Sequence, residues 1–266
     1  MTPTRRSRWW MGPLAAAGLS VFAAVGPSAS EPTPLVSATR FLSDDLRAEQ
    51  QDETRNRGML WVDQGADLWR REPAPSQPSC AACHGDAKAS MAGVAARYPA
   101  VDGTTGRLQN VEGRINACRE RDQKLAPLAY DSDELLALTA FLAMQSRGRP
   151  VSVATESPAA AAAVETGRRF WSERQGQLNL ACTHCHDDNV GRRLRGDTLS
   201  SGLPTGYPAY RLEWQGLGSL YRRLRACQIG VRAEPFQAGS DIHIALELFL
   251  AARALGAPVE APAIRR

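Results

Sequence analysis

Cys80-Ala81-Ala82-Cys83-His84 returns later in the chain as Cys182-Thr183-His184-Cys185-His186, and this repeated pattern constrains the fold more than any other feature. Two cysteines separated by two residues can add through thioether bonds to the two vinyl groups of one porphyrin. The adjoining histidine is then placed to reach the iron. A lone copy would also be compatible with part of a zinc site, but zinc needs a closed set of nitrogen and sulfur ligands. Two copies in similar contexts point to two covalently bound haems of c type. Cys80 and Cys83 would hold one, with His84 as axial ligand; Cys182 and Cys185 would hold the other, with His186.

The first thirty residues read as an export signal. Arg5, Arg6 and Arg8 form a positive head, Trp9 to Val25 is mostly apolar, and small residues follow around Ala29 and Ser30. Gly12, Pro13 and Gly18 interrupt the apolar run, so a retained membrane anchor is disfavoured. Thr4-Arg5-Arg6 resembles the start of a twin-arginine signal, but covalent haem is attached after export, which fits passage of an unfolded chain by the Sec route. The expected compartment is an oxidising periplasm. Cleavage after residue 30 leaves about 236 residues, enough for two small domains. The formal charge of +4 loses three arginines with the signal. Nothing in the remainder calls for nucleic acid or an acidic membrane, and no later apolar run approaches membrane-spanning length. Only 6% of residues are aromatic, and a haem in each domain would add apolar filling.

The repeat extends beyond the haem motifs. At the offset of 102 that superposes them, Gly65, Leu68 and Trp69 fall on Gly167, Phe170 and Trp171, a spacing that places all three on one helical face. After the motifs the offset becomes 109, carrying Tyr98-Pro99 onto Tyr207-Pro208 and Cys118 onto Cys227. Each unit closes with an apolar helix. Asp131 and Glu134 have capping-box spacing ahead of Leu135, Leu136, Leu138, Phe141 and Leu142; the second copy starts near Ser240 and carries Ile242, Ile244, Leu246, Phe249 and Leu250. Val151 to Ala163 has the composition of a linker passing into a helix. No strong strand pattern is present. The expected fold is mainly α: two tandem class I cytochrome c-like domains related by duplication, over 31–152 and 153–266.

Cys118 and Cys227 remain after the thioethers are assigned. They could form a disulfide, or each could be the distal ligand of its own haem iron. Their equivalent positions favour ligation, because a disulfide would require equivalent points of two domains to face one another. The methionines agree: the last is Met144, so the second domain has none to offer. Met144 does compete in the first domain, though its place near a helix end also suits core packing. His184 is expected to be exposed, and His243 to be solvated or satisfied in the core. Arg114 and Arg223 each precede a solitary cysteine by four residues, so each guanidinium can lie beside the sulfur and favour the thiolate. Arg222, Arg225, Arg211 and Arg232 make the second site the more basic, although a solvated helix face is the simpler reading of Arg222.

Two C-x-x-C-H motifs, each followed by a lone cysteine, with the second inside Arg223-Leu224-Arg225-Ala226-Cys227, resemble the SoxA family. These are the di-haem subunits of the SoxAX cytochromes of sulfur-oxidising bacteria. The resemblance implies an L-cysteine S-thiosulfotransferase that joins thiosulfate oxidatively to a carrier-protein cysteine of SoxYZ. It implies a heterodimer with a mono-haem SoxX chain, which receives the electrons. It implies that Cys227 is the catalytic sulfur acceptor, found as a persulfide in the family, and that Arg223 binds substrate. It also implies His84 with Cys118, and His186 with Cys227, as the axial pairs. The competing reading is a di-haem cytochrome that only carries electrons; it expects methionine or histidine as distal ligand and no arginine cluster at the iron.

Overall fold

Serine hydroxyls decide where most helices begin. Ser43, Ser79, Ser132, Ser157, Ser219 and Ser240 each hold extended backbone angles and accept a backbone N–H from the first turn of the helix that follows. The computed structural model describes residues 1–2 and 34–266, and residues 35–266 form one compact unit. The export signal expected over residues 1–30 therefore lies, but for its first two residues, outside the described residues.

The helices in chain order are α1 (Asp44–Gln51), α2 (Met59–Arg70), α3 (Cys80–His84), α4 (Ala87–Ser90), α5 (Val111–Arg121), α6 (Asp133–Met144), α7 (Pro158–Ser172), α8 (Cys182–His186), α9 (Leu220–Gly230) and α10 (Asp241–Arg253). The strands are β1 (Ala100–Val101), β2 (Leu108–Gln109), β3 (Arg193–Leu194), β4 (Asp197–Thr198), β5 (Ala209–Arg211), β6 (Gly216–Gly218) and β7 (Ala263–Arg265). Among the described residues no helix is long and apolar enough to cross a membrane.

Two helix crossings carry the body: α2 on α6, and α7 on α10. Each has a glycine at its centre. A Cβ at Gly65 would stand 2.1 Å from the Ala137 carbonyl oxygen, and one at Gly167 would stand 2.4 Å from that of Ala245, so both backbones approach as closely as they do because no side chain intervenes. The tryptophan one turn later is buried in both, Trp69 on α2 and Trp171 on α7. Trp69 packs with Leu142 of α6 and with Cys80, and Trp171 packs with Leu246 and Leu250 of α10 and with Cys182. The glycine and tryptophan therefore bring each C-x-x-C-H motif against its closing helix.

The segment with linker composition is not loose. Helix α7 starts at Pro158, and Val151 and Val153 ahead of it are buried in a cluster with Ala96 and Ala143 on one side and Ala160, Leu248 and Ala251 on the other. The Val151 N–H donates to the Ala257 carbonyl at 2.9 Å, and the Gly256 N–H donates back to Val151 at 2.9 Å. Burial of two valines and pairing of the backbone turn a linker sequence into a core strap.

The sheet structure differs from the strand-free expectation. Strand β5 pairs antiparallel with β6, Ala209 opposite Gly218, and parallel with β7, Ala209 opposite Ala263. Strands of three residues are too short to show alternation, and β5 and β7 are buried throughout. The cap of α6 also differs: Ser132, not Asp131, accepts the Leu135 N–H. Asp131, at φ 63°, instead accepts a hydrogen bond from the Ser219 hydroxyl at the start of α9.

Candidate haem and sulfur site

Helices α3 and α5 bring Cys80, Cys83, His84 and Cys118 to one cavity of about 420 Å³. Its apolar walls include Val94, Ile115, Leu138 and Leu142, and Arg114 and Arg119 also line it. Two thiols at the spacing for thioether attachment, a histidine and a third cysteine that could ligate iron, apolar faces and cationic side chains are what a haem with charged propionates needs, so these residues fit the group. Trp69 lies against His84, ring centroids 5.7 Å apart and planes 32° apart, and its indole N–H donates to the Gly85 carbonyl at 3.0 Å. Burial pushes the Cys80 thiol up, and the charge of Cys118 adds to this. Met144 is not in the cavity; it packs beside Met59, Trp61 and Phe141 against the Tyr210 cluster. Met91 does line the cavity and was not weighed from sequence. Arg114, at the wall of the cavity, is paired with Asp102 at 2.9 Å.

Helices α8 and α9 build the second site. The His186 Nδ1 lies 2.7 Å from the Ser200 carbonyl, and since a carbonyl only accepts, Nδ1 carries the proton. Nε2 is thereby left as the donor atom of the ring, the state a metal-ligating imidazole requires. Across from it, Cys227 is in hydrogen-bonding contact with the His186 side chain. Burial works to raise the Cys227 thiol, but Arg223 foremost, then His186 and Arg211, bring it down to about 7. Cys182 and Cys185 both sense the charge of Cys227; burial is the larger cause of their own upward displacement, taking Cys182 to about 12. Cys182, Cys185, His186 and Cys227 thus converge at one place.

The basic residues divide sharply. Arg223 faces Cys227, whose negative charge is the largest cause holding the guanidinium's pKa above its usual value; Tyr207 and Asp197 act on it in the same direction. Arg211, at the end of β5, is 4% exposed, and its charge also reaches Cys227. Arg222 is exposed and stacks 4.2 Å above the Trp214 ring, while Arg225 and Arg232 are exposed as well. Arg222 therefore lies on an outer helix face, as its simpler reading had it. Arg211, Tyr207, Asp197 and Ser200 come from irregular segments and short strands, where no sequence period marks them.

The remaining candidates are accounted for. All six cysteines are free, and Cys118 and Cys227 belong to separate sites, so the disulfide between them does not form. His184 is half-buried rather than exposed; its Nδ1 accepts the Ala181 N–H at 3.0 Å and caps α8. His243 is fully buried, with Nε2 2.8 Å from Glu247 and Nδ1 accepting the Gly239 N–H at 3.0 Å, which makes it the core-satisfied histidine of the two alternatives.

Residues 64–151 match the family described as SoxA/TsdA, cytochrome c domain. The L-cysteine S-thiosulfotransferase subunit SoxA of Pseudaminobacter salicylatoxidans is 38% identical over 87% of this chain and 81% of its own length. The chain belongs to the SoxA family. The SoxA subunit of Paracoccus pantotrophus is likewise 38% identical, over 87% of this chain and 79% of the relative. A solved structure, SoxXA from P. pantotrophus, aligns with a TM-score of 0.83 at 37% identity, covering 86% of each chain. A cytochrome c domain binds its haem covalently, so the cofactor of this SoxA-family chain is haem c.

Proposed function

We propose that this chain is the di-haem, catalytic subunit of a periplasmic L-cysteine S-thiosulfotransferase. It would join thiosulfate to a cysteine of a SoxYZ-type carrier protein, working as a heterodimer with a SoxX-type mono-haem cytochrome. The two haem c groups would sit in two cytochrome c-like domains related by duplication, 31–152 and 153–266, ligated by His84 with Cys118 and His186 with Cys227. The observation that carries this reading is the pairing of Cys227 with Arg223: a half-buried cysteine drawn toward its thiolate by a cation turned to face it. The relatives named L-cysteine S-thiosulfotransferase subunits, and the solved SoxXA assembly, support the activity and the partner.

The chemistry follows from charge. Thiosulfate is a dianion and the attacking sulfur is a thiolate, so the site must offset two like charges as they approach. Arg223 does this beside the sulfur, and Arg211 adds fixed positive charge from a buried strand end, where it is weakly screened. His186, whose Nδ1 is held by the Ser200 carbonyl, keeps Nε2 available to bind iron, and its side chain is in hydrogen-bonding contact with Cys227. Joining the outer sulfur of thiosulfate to a cysteine thiolate would give an S–S bond and release two electrons; a haem held by Cys182, Cys185 and His186 would accept them one at a time and pass each on to the partner cytochrome. Cys118 lies in a separate cavity and takes no part in sulfur transfer.

The test is turnover of the holoprotein with a SoxX-type partner, a SoxYZ-type carrier and thiosulfate. Cys227→Ser is expected to keep both covalent haems, because the thioethers lie elsewhere, and to lose nearly all activity. Arg223→Ala should weaken thiosulfate use by roughly 2–4 kcal/mol of transition-state stabilisation, while the outward Arg222→Ala stays near wild type. Cys118→Ser should perturb the first haem's spectrum and leave turnover mostly intact. Wild-type rates in Cys227→Ser together with loss of activity in Cys118→Ser would move the active site to the first half and overturn the assignment.

A further inference from the structure

The second haem motif is followed by an ion pair that the first does not have. Asp187 stands immediately after His186, and its carboxylate is shared: Oδ2 accepts the Trp171 indole N–H at 2.8 Å, and Oδ1 accepts from the Arg253 guanidinium at 2.6 Å. Arg253 comes from the far end of α10 and does two further things. Its guanidinium lies 4.6 Å above the Trp171 ring, and it reaches the Ser201 carbonyl at 3.4 Å, next to the Ser200 carbonyl that fixes the His186 tautomer. Trp171 in turn stacks against the His186 ring, centroids 5.5 Å apart and planes 30° apart. On another side stands Gly202, at φ 71°, where a Cβ would come within 2.8 Å of Trp171 and 3.3 Å of His186. Imidazole, indole, carboxylate and guanidinium form one connected assembly tied to three elements: α7, α8 and α10.

In the first half Trp69 stacks on His84 at nearly the same distance and angle, but its indole N–H goes to the Gly85 backbone carbonyl. Gly85 occupies the place of Asp187. The glycine contacts align α6 with α10, Phe141 with Phe249, and this puts Gln145 at the place of Arg253. The Gln145 side chain donates to the Phe141 carbonyl of its own helix, at 2.8 Å. A charged clamp around the histidine of the C-x-x-C-H motif therefore occurs in the half that holds Cys227 and has no counterpart around His84 among the described residues.

We propose that Asp187 and Arg253 are positioning residues that lock the plane of the His186 ring, through Trp171 and the Ser200–Gly202 loop, and so set the electronic state of the haem at the sulfur-transfer site. The inference rests on the reading of His186 as an axial ligand. The His186 ring is held by the Trp171 face and the Ser200 carbonyl; Asp187 fixes the Trp171 indole N–H, and Arg253 sits over the indole and holds the neighbouring Ser201 carbonyl, so breaking the Asp187–Arg253 pair loosens both supports of the ring. The orientation of an axial imidazole governs the spread of low-spin g-values and contributes to the iron's reduction potential, whereas plain loss of stability changes neither.

The experiment is electron paramagnetic resonance and redox titration of the holoprotein in a Cys118→Ser background, where the first haem no longer gives a His/thiolate signal. Arg253→Gln and Asp187→Asn are expected to shift the g-values and potential of the second haem and to leave the first haem unchanged. Arg253→Lys, which keeps a cation for Asp187 and for the indole face, should stay closer to the parent. If Arg253→Gln does not fold, Asp187→Asn and Arg253→Lys still decide. A lowered melting temperature with unaltered g-values and potential would make the clamp merely structural and overturn the proposal. Absence of a His/thiolate signal in the parent would instead overturn the ligation on which it rests.

Discussion

Gly167 shows how much can depend on a missing side chain. A methyl group there would meet the Ala245 carbonyl oxygen at 2.4 Å and the Phe249 Cβ at 2.6 Å, both belonging to the helix it crosses. Neither is the free end of a flexible chain, so α7 and α10 would have to separate. Gly167→Ala is expected to destabilise the protein by about 1–3 kcal/mol despite a better helix propensity, read as a lower midpoint in thermal or denaturant unfolding. An unchanged midpoint would mean that the crossing adapts. The glycine was visible in sequence as one end of a repeated Gly and Trp spacing; which backbone it admits was not, because that partner lies about eighty residues away. Cys227 and Arg223 were legible for a different reason, since residues four apart on one helix meet locally. Arg211 was not, because its approach to Cys227 depends on strand pairing.

At the scale of elements, α9 is the one whose position matters most, since it carries both Arg223 and Cys227. Its first turn is held by Ser219, which is 1% exposed, accepts the Arg222 N–H at 3.0 Å and donates to Asp131 from the other half of the sequence. Ser219→Ala removes the cap and leaves a carboxylate without its donor. The expected loss is about 0.5–2 kcal/mol for the cap, with more from the unpaired Asp131, measured by denaturant unfolding. A loss below a few tenths would show that water replaces both bonds. Helices of this kind were readable from their apolar spacing, and Ser240 was found as the start of α10. The start of α6 was misplaced by one residue because Asp131 and Ser132 are both good caps in isolation, and only the contact with Ser219 commits Asp131 elsewhere.

Across the whole molecule, the halves meet at a buried polar cluster. Glu112 lies on α5, His243 and Glu247 on α10, and Asp131 and Tyr130 approach from the loop before α6. Asn110 donates to Glu247 at 3.0 Å and accepts from the Tyr130 hydroxyl at 3.0 Å. Burial, then the charge of Glu247, pushes the Glu112 carboxyl up from 4.5 to about 8. For His243 burial acts to lower the pKa, but the charge and hydrogen bond of Glu247 outweigh it and the net displacement is upward. Both groups bind their protons more tightly in the folded chain than in the unfolded one. Their contribution to stability is therefore full below the unfolded values and is lost as pH rises through the folded ones. Unfolding free energy should fall between about pH 5 and pH 8, and Glu112→Gln, which cannot lose a proton, should flatten that fall. Parallel pH profiles for the two proteins, followed by thermal unfolding, would count against the assignment.

What the sequence determined by itself is whatever depends on neighbours along the chain: the two C-x-x-C-H motifs, the helix periods, and the cysteine with an arginine one turn before it. Covalent spacing and helical geometry fix these within a few residues, so no folded partner is needed to recognise them. Tertiary structure alone decided that the apparent linker is core, that three-residue strands form a sheet, and that Arg211 rather than Arg222 turns its charge toward Cys227. It also decided that Asp187 after the second C-x-x-C-H motif pairs with Arg253, while Gln145 at the corresponding place in the first half bonds to the Phe141 carbonyl of its own helix. Those outcomes depend on which distant backbones close on one another, and in this chain that closure runs through Gly65 and Gly167.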